Sequence, residues 1–328
     1  MNQTALAFGL MSYRFPYPYD SDLSSPPLFL GTSRAVWQTA RDAARDNIAY
    51  ALWPVFDRAK PVSKQAEALN EADFHILRAI RPPNDHWFRS EASISTRGVA
   101  FVRTLFRCED SVYEAIRFRD DNNKLVTCNT SFSSFAYYVG FEATEDDFAR
   151  LQAPIQGKTG EAGLVADRFG AADWLNLSLK HIFQRPRPYQ LAFERGNLAF
   201  EHELSQTAHS PALPSGHALQ AAAFALFAHD DLAADEVWGR HVGHLPAWAA
   251  SMGDRRNCAG LHYPSDNWAS WIVLATVLGL LFPDAARRTK ARARLAENIC
   301  SSVCYRLGKG YPEFSRAKIT LGTLGIEV

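Results

Sequence analysis

Two cations close together in sequence begin the argument for a binding site. Lys180 and Arg187 lie seven residues apart, in a segment that ends Arg-Pro-Arg-Pro. Seven residues are about 20° short of two helical turns, so both side chains could share a helix face and reach one anion. Pro186 and Pro188 disfavour helix, which predicts that Arg187 lies just past a helix end. A solvated basic helix end is the competing interpretation.

The segment Pro214-Ser215-Gly216-His217 is predicted to open a helix. It is followed by a run of strong helix formers, from Ala218 to Ala228. Amides at a helix start point outward, so Ser215 and Gly216 could donate N–H groups and a hydroxyl to an anion. His217 would lie at the edge of that site. An ordinary serine N-cap followed by a histidine explains the same residues without a ligand.

A third segment supplies a cation, an imidazole and a carboxylate. Arg256 precedes His262 by six positions, and Asp266 follows His262 by four. Helix beginning near Pro264 would bring the imidazole and the carboxylate together, and a carboxylate on one ring nitrogen leaves the other nitrogen able to attack. Taken alone, the pair is more typical of a surface ion pair.

The joint pattern Lys-x6-Arg-Pro, Pro-Ser-Gly-His and Arg-x5-His-x3-Asp resembles the type 2 phosphatidic acid phosphatase and vanadium haloperoxidase superfamily. That superfamily also holds the bacterial class A acid phosphatases. The resemblance covers roughly residues 170–285. One position departs from it, since Arg255 stands where the family has serine. Arg255 would either add a cation beside the pocket or pair with Asp254.

The resemblance implies an all-α helical bundle and a soluble, metal-independent phosphomonoesterase acting on a small-molecule phosphate ester, with or without an apolar moiety. His262 would be the nucleophile that forms a phosphohistidine, Asp266 would orient it, and His217 would protonate the leaving oxygen and then activate water. The implied phosphate- or vanadate-binding residues are Lys180, Arg187, Ser215, Gly216 and Arg256. No metal and no cofactor are implied for the phosphatase.

Two alternatives to a phosphatase stay open. In the related haloperoxidases vanadate is the cofactor, and the position of His262 would ligate vanadium directly. The motifs do not separate the two activities, and the preference for a phosphatase rests on the wording of residues 260–266 and on modest length. A catalytically silent binding protein that keeps the fold is the third interpretation.

Composition bounds the setting of this site. The chain has 328 residues, of which 47% are hydrophobic, which is enough for a large core. Lys plus Arg equals Asp plus Glu, so no basic excess suggests nucleic acid as a partner. We expect residues 1–150 to form a mainly helical extension packed on a catalytic core of residues 151–328, within one compact domain. A homo-oligomer is left open.

Hydrophobic periodicity predicts mostly helices. The expected helices are residues 35–58, 63–80, 95–106, 143–153 and 160–180. A β-hairpin is expected within residues 115–131. Residues 189–213 carry few helix signals and are expected to form a loop that shapes the substrate pocket. The Glu-His-Glu triplet at 201–203 is interpreted as solvated loop, and His241 and His244 as an exposed turn.

Membrane insertion and secretion are not expected. The longest apolar run, residues 268–282, is shorter than the roughly 20 residues that a helix needs to cross a bilayer. It is interpreted as a core helix behind the site. The N-terminus lacks the features of a secretion signal. Five cysteines in scattered positions favour reduced thiols in the cytoplasm. Cys258, inside the third motif, is expected to be a small apolar filler.

Overall fold

The computed structural model describes residues 32–52, 64–80, 117–119, 125–127, 161–197, 210–236, 238–258 and 260–328. The described helices are α1 Arg34–Leu52, α2 Lys64–Ile80, α3 Glu161–Phe183, α4 Pro188–Glu194, α5 Gly216–Ala233, α6 Leu245–Cys258, α7 Pro264–Leu281, α8 Ala285–Ser301, α9 Val303–Gly308 and α10 Ser315–Thr323. Short 3-10 turns cover Trp238–Arg240, Val242–His244 and Pro312–Phe314. The expected all-α helical bundle is confirmed.

Helix α7 is the centre of the bundle. Its sequence is apolar on every side, and nearly all of its residues are buried, as expected for a helix surrounded by others. Its neighbours are α1, α5, α8 and α10. Trp268 contacts the rings of Tyr305 and Phe314 on the C-terminal helices. The interpretation of residues 268–282 as a core helix is therefore correct.

The two N-terminal helices pack on the same core. Helix α1 is amphipathic, and its buried stripe includes Trp37, Ala44 and Ile48. It lies against α7 and α10, while α2 lies against α7 and α9. The predicted boundary near residue 150 stays a prediction.

Three of the expected helices are found with nearly the expected bounds. Residues 35–58, 63–80 and 160–180 correspond to α1, α2 and α3, although residues 53–58 lie outside the described part of the chain. The helices expected at 95–106 and 143–153 also lie outside it. The expected hairpin is present as β1, Arg117–Arg119, paired antiparallel with β2, Leu125–Thr127.

The expectation of a loop over residues 189–213 is wrong at its start, where α4 forms. Pro188 occupies the first helical position, where its missing N–H costs nothing and its fixed φ favours helix. The side-chain oxygen of Gln190 accepts a 2.6 Å hydrogen bond from the Arg187 N–H and closes the helix start. Residues 198–209, with the Glu-His-Glu triplet, are outside the described residues.

Two further expectations concern the surface and the thiols. None of the helices that the structure describes is both long and apolar enough to cross a bilayer. Cys258 is half-buried against the main hydrophobic core, which agrees with its expected role as a small filler. Cys108 and Cys128 are outside the described ranges.

Candidate active site

Lys180 and Arg187 come together on one short stretch of backbone, residues 210–212. Lys180, in the last turn of α3, donates from Nζ to the carbonyl oxygens of Pro211 at 2.5 Å and Ala212 at 3.2 Å. Arg187 donates from Nε to the Ser210 carbonyl at 2.9 Å. The segment is tied to the α3–α4 connection by the Ala212 N–H, which donates to the Arg185 carbonyl at 2.9 Å.

This arrangement corrects the expectation that the two cations share a helix face. Helix α3 ends at Phe183, and Gln184 takes a positive φ of 50°, so the chain turns away before Arg187. Arg187 is instead the residue that precedes α4. The expectation that it lies past a helix end is confirmed. A common backbone scaffold, not helical periodicity, brings the two positive charges together.

Arg187 is bonded directly to the proposed nucleophile. Its Nη1 donates to His262 Nε2 at 2.9 Å and to the Leu261 carbonyl at 2.8 Å. Because a guanidinium can only donate, the Nε2 atom must present its lone pair. The Arg187 side chain is 1% exposed, so this bond forms away from bulk water.

His262 and Asp266 form the expected pair at the start of α7. His262 Nδ1 lies 3.0 Å from Asp266 Oδ2, and that oxygen also accepts the Tyr263 N–H at 2.9 Å. With Nε2 as acceptor, Nδ1 carries the ring hydrogen and donates it to the carboxylate. Pro264 is the first residue of α7, so the proline lies where a helix tolerates it and His262 still lies close to Asp266, as the sequence predicted.

The pKa of His262 lies well below its usual value. Burial is the main cause, and the positive charges of Arg187, Lys180 and Arg256 lower the pKa further, while a backbone hydrogen bond with Ala212 opposes them. The imidazole is therefore neutral at physiological pH, as a nucleophile must be.

Ser215 caps α5, but its amide is not available to an anion. The Ser215 N–H donates to the Asp266 carbonyl at 3.2 Å, which corrects the expectation that this amide binds a ligand. The Ser215 Oγ accepts from the Ala218 N–H at 3.4 Å, and its own hydrogen remains a possible donor. The Asp266 carbonyl also accepts from the Ser270 hydroxyl at 2.9 Å.

Gly216 begins α5 in a place that a side chain could not enter. A Cβ at this position would lie 2.9 Å from Asn176 Nδ2 on α3. Its N–H belongs to the first turn of α5, where amides have no intrahelical acceptor. Gly216 thus lets the N-terminus of α5, which carries the partial positive charge of the helix dipole, approach α3 closely.

His217 is buried beside the same charges. Its pKa is lowered well below the usual value by burial first, and then by Arg256, His262, Arg187 and Lys180. Its Nε2 atom has no hydrogen-bond partner within the described part of the chain. A buried imidazole nitrogen without a partner is costly, which marks this atom as one that a ligand or a proton can satisfy.

Arg256 lies in the last turn of α6 and is 5% exposed. Its carbonyl accepts from the N–H groups of Leu261 at 3.0 Å and His262 at 3.3 Å, so the loop before α7 folds back onto the end of α6. Its charge lowers the pKa of both imidazoles. The Arg187–His262 hydrogen bond joins the first segment to the third, and the bond from the Ser215 N–H to the Asp266 carbonyl joins the second to the third, so the three segments meet at one place.

Arg255, the departure from the family pattern, is half-buried, and its Nη1 lies 3.5 Å from Met252 Sδ. The carboxylate of Asp254 bonds to the start of α9, through the Ser302 hydroxyl at 2.7 Å and the Val303 N–H at 2.7 Å. Asp254 therefore ties α6 to α9. His244 ends the second 3-10 turn and is exposed, as the sequence predicted, whereas His241 lies between the two turns and is half-buried, so the expectation of two exposed imidazoles is wrong for His241.

Sequence reasoning missed a buried ionic network behind Asp266. Arg185 is 2% exposed and bonds to the carboxylates of Asp266 at 2.7 Å and Asp73 at 2.9 Å. The Arg-Pro-Arg repeat shows two arginines, but nothing in it distinguishes which faces an anion and which faces carboxylates. Asp73 is one of several acidic residues along α2. The spacing of the apolar residues around it was the one feature of the sequence that indicated its burial.

Comparison with known families agrees with this geometry. Residues 168–290 match the model of the PAP2 superfamily. This match supports membership of the type 2 phosphatidic acid phosphatase superfamily, whose members are generally phosphatases. The match covers α4 to α7, most of α3 and the start of α8. Searches of curated proteins and of solved structures give no significant match.

Proposed function

We propose that the protein is a phosphomonoesterase that transfers the phosphoryl group of its substrate to His262. The observation that supports this most directly is the state of that imidazole. It is buried and neutral, with its Nδ1 hydrogen directed to Asp266 and its Nε2 lone pair directed to Arg187. A neutral nitrogen whose lone pair faces a cation cluster is suited to attack an anionic phosphorus centre.

The chemistry divides into two displacements. In the first, Arg187 Nη1 transfers its hydrogen bond from His262 Nε2 to a phosphate oxygen, the freed Nε2 lone pair forms a bond to phosphorus, the ester P–O bond breaks, and the leaving oxygen takes a proton from His217. In the second, His217 takes a proton from water, the water oxygen bonds to phosphorus, and the N–P bond breaks. Covalent catalysis replaces one difficult step by two easier ones.

Lys180, Arg187 and Arg256 would bind the phosphate oxygens, with the Gly216 amide and the Ser215 hydroxyl completing the site. Phosphoryl transfer spreads negative charge over three equatorial oxygens, and fixed positive donors stabilise that charge. Three positive side chains would also repel a metal cation from the same place. We therefore propose catalysis without a metal ion.

The proposed acid, His217, depends on the substrate for its proton affinity. Burial and the neighbouring cations lower its pKa, which would leave it neutral and unable to donate. A phosphate dianion would offset those cations and favour the protonated imidazole. General acid catalysis would in this way begin only when substrate is bound.

The test is hydrolysis of p-nitrophenyl phosphate by the full chain in the presence of a chelator. We expect turnover that vanadate inhibits, loss of activity in His262→Ala, and retained activity in the control His244→Ala, which changes an exposed imidazole. Rapid denaturation should trap a phosphoenzyme in the parent protein. His262→Ala with turnover intact would exclude the assigned nucleophile.

The leaving group separates the two histidines. A poor leaving group such as an alkoxide needs a proton, whereas p-nitrophenolate needs little help. We expect His217→Asn to lower turnover of an alkyl phosphate about 10²- to 10⁴-fold, and that of p-nitrophenyl phosphate much less. Equal losses on both substrates would contradict the role of acid.

The same assays include the alternative activity. Vanadate would fit the same donors, and His262 would then ligate the vanadium. Bromination of a dye with vanadate, bromide and peroxide, without hydrolysis of the phosphate ester, would identify a haloperoxidase instead. Neither reaction would identify a binding protein that keeps the fold.

A further inference from the structure

Arg185 connects three helices at a point next to the proposed nucleophile. It follows α3, and its guanidinium lies between Asp266 on α7 and Asp73 on α2. All three side chains are at most 2% exposed. The ring of Tyr263 covers the guanidinium, with Cζ 3.7 Å from the ring centroid. Such a fully buried ionic group must be held by specific partners.

The two oxygens of Asp266 serve different partners. Oδ2 accepts hydrogen bonds from His262 Nδ1 at 3.0 Å and from the Tyr263 N–H at 2.9 Å. Oδ1 accepts a hydrogen bond from Arg185 Nη1 at 2.7 Å. The Arg185 bond therefore sets the rotation of the carboxylate, because turning it would break the bonds on both oxygens at once. The orientation of the imidazole follows from that of the carboxylate.

Helix α2 in turn fixes Arg185. Its Nη2 donates to Asp73 Oδ2 at 2.9 Å and to Asn70 Oδ1 at 3.2 Å. Ser265 closes the network: its N–H donates to Asp73 Oδ1 at 2.9 Å, and its Oγ donates to Asp73 Oδ2 at 2.5 Å and accepts from Arg185 Nη1 at 2.6 Å. Each polar atom thus has a defined place.

We propose that Arg185 and Asp73 are positioning residues that fix the Asp266 carboxylate and, through it, the tautomer and direction of His262. This inference rests on the proposed function of His262. Helix α2 lies outside the span of residues 168–290 that matches the family, so the N-terminal region would contribute to the chemical step and not only to packing.

The balance of charge supports this role. Arg185 faces two carboxylates, and although burial opposes its charge, Asp266 and Asp73 raise the pKa of its guanidinium. If Asp73 were neutral, the full positive charge would act on Asp266 and weaken it as an acceptor from His262. Burial raises the pKa of Asp73 to about 6, against the opposing effects of Arg185 and Ser265. Asp73 is therefore ionised at neutral pH.

The experiment compares Asp73→Asn and Arg185→Lys with a matched surface pair. Asp230→Asn and Arg294→Lys alter a more exposed ion pair of similar length, 2.7 Å between Arg294 Nη2 and Asp230 Oδ1 against 2.9 Å between Arg185 Nη2 and Asp73 Oδ2. The measurements are kcat and KM on p-nitrophenyl phosphate, the inhibition constant of inorganic phosphate, and the nitrogen chemical shifts of the His262 ring. Thermal melting shows that each variant is folded.

We expect kcat to fall about 10- to 100-fold in both network variants, on the scale of other groups that orient a reacting ligand. The phosphate inhibition constant should change little, because the cations that bind phosphate are intact. The His262 ring should lose its single tautomer. Asn70→Ala, which keeps both charges, should lower kcat less and decides the matter if the charge variants do not fold.

Folded network variants that keep kcat and the His262 tautomer would overturn the proposal. So would an equal fall in kcat in the surface pair. A parent protein without phosphatase activity would instead refute the proposed function. In that case the ring shifts of His262 still test the positioning, since they report the tautomer without turnover.

Discussion

Arg185 and Arg187 are two residues apart in one short segment, yet they meet opposite surroundings. Arg185 contacts the carboxylates of Asp73 and Asp266. Among the described residues, Arg187 contacts carbonyl oxygens, the Ser210 hydroxyl and an imidazole nitrogen. Both side chains are almost completely buried. The pair shows that the partner, and not the type of side chain or its depth, decides what a buried cation does.

The difference is electrostatic. The charge of Arg185 is matched by two negative groups, so it holds structure together. The charge of Arg187 instead lowers the pKa of His262 and of His217, which means that its field extends into the site. An incoming phosphate would meet that field.

Of the effects that distinguish the two arginines, the largest is expected on turnover in Arg187→Met. Removing one fixed donor to a developing oxyanion costs about 10²- to 10³-fold in kcat. The loss of stability should be small, because the lost hydrogen bonds are offset by reduced repulsion among like charges. Enzyme kinetics and thermal melting check both expectations. A variant as active as the parent would show that Arg187 does not bind the phosphate.

Arg185→Met, unlike Arg187→Met, should lower the free energy of unfolding strongly. Breaking a buried ion pair leaves carboxylates without compensation and typically destabilises a protein by about 3–5 kcal/mol. Denaturant unfolding of both methionine variants measures the contrast. The control is Arg195→Met, whose partner Glu71 is exposed, and which should cost less than about 1 kcal/mol. Equal stability of the Arg185 and Arg187 variants would remove the distinction between them.

The smallest expected effect is a pH dependence of stability. The folded state holds His217 at a lowered pKa, so the unfolded chain binds this proton more readily. Stability from this group is present above the unfolded value of about 6.5 and is lost as pH falls, by at most about 1.4 kcal/mol per pH unit. His217→Gln should therefore lose less stability than the parent between pH 7 and pH 5, by unfolding measurements at both. Parallel losses would contradict the shift.

Much of the fold and of the site was predictable from the sequence because both depend on local signals. Helix α7 is apolar throughout and begins at a proline, and the Ser215 cap precedes a run of alanines. The residues of the candidate site occur at fixed spacings, so they could be matched to a family. These signals needed no knowledge of which helix packs against which.

The network behind Asp266 could not be predicted for the same reason. Asp73 and Arg185 are 112 positions apart, and their pairing depends on how α2 packs on the core. The amide of Ser215 was assigned to an anion because sequence does not show that the Asp266 carbonyl lies beside it. Helix α4 was missed because its prolines were interpreted only as helix breakers. Long-range packing decides each of these points.

The hydrogen bonds between the start of α5 and the first turns of α7 fix the two segments that carry the imidazoles relative to each other. The Ser215 N–H bonds to the Asp266 carbonyl at 3.2 Å, and the Ser270 hydroxyl lies 2.8 Å from the Ser215 carbonyl. These bonds tie the start of α5, which carries His217, to the first turns of α7, which directly follow His262. In the proposed mechanism, a substitution that loosens these bonds would shift the acid His217 relative to the nucleophile His262 before it unfolded the protein, so turnover should respond to it earlier than thermal melting does.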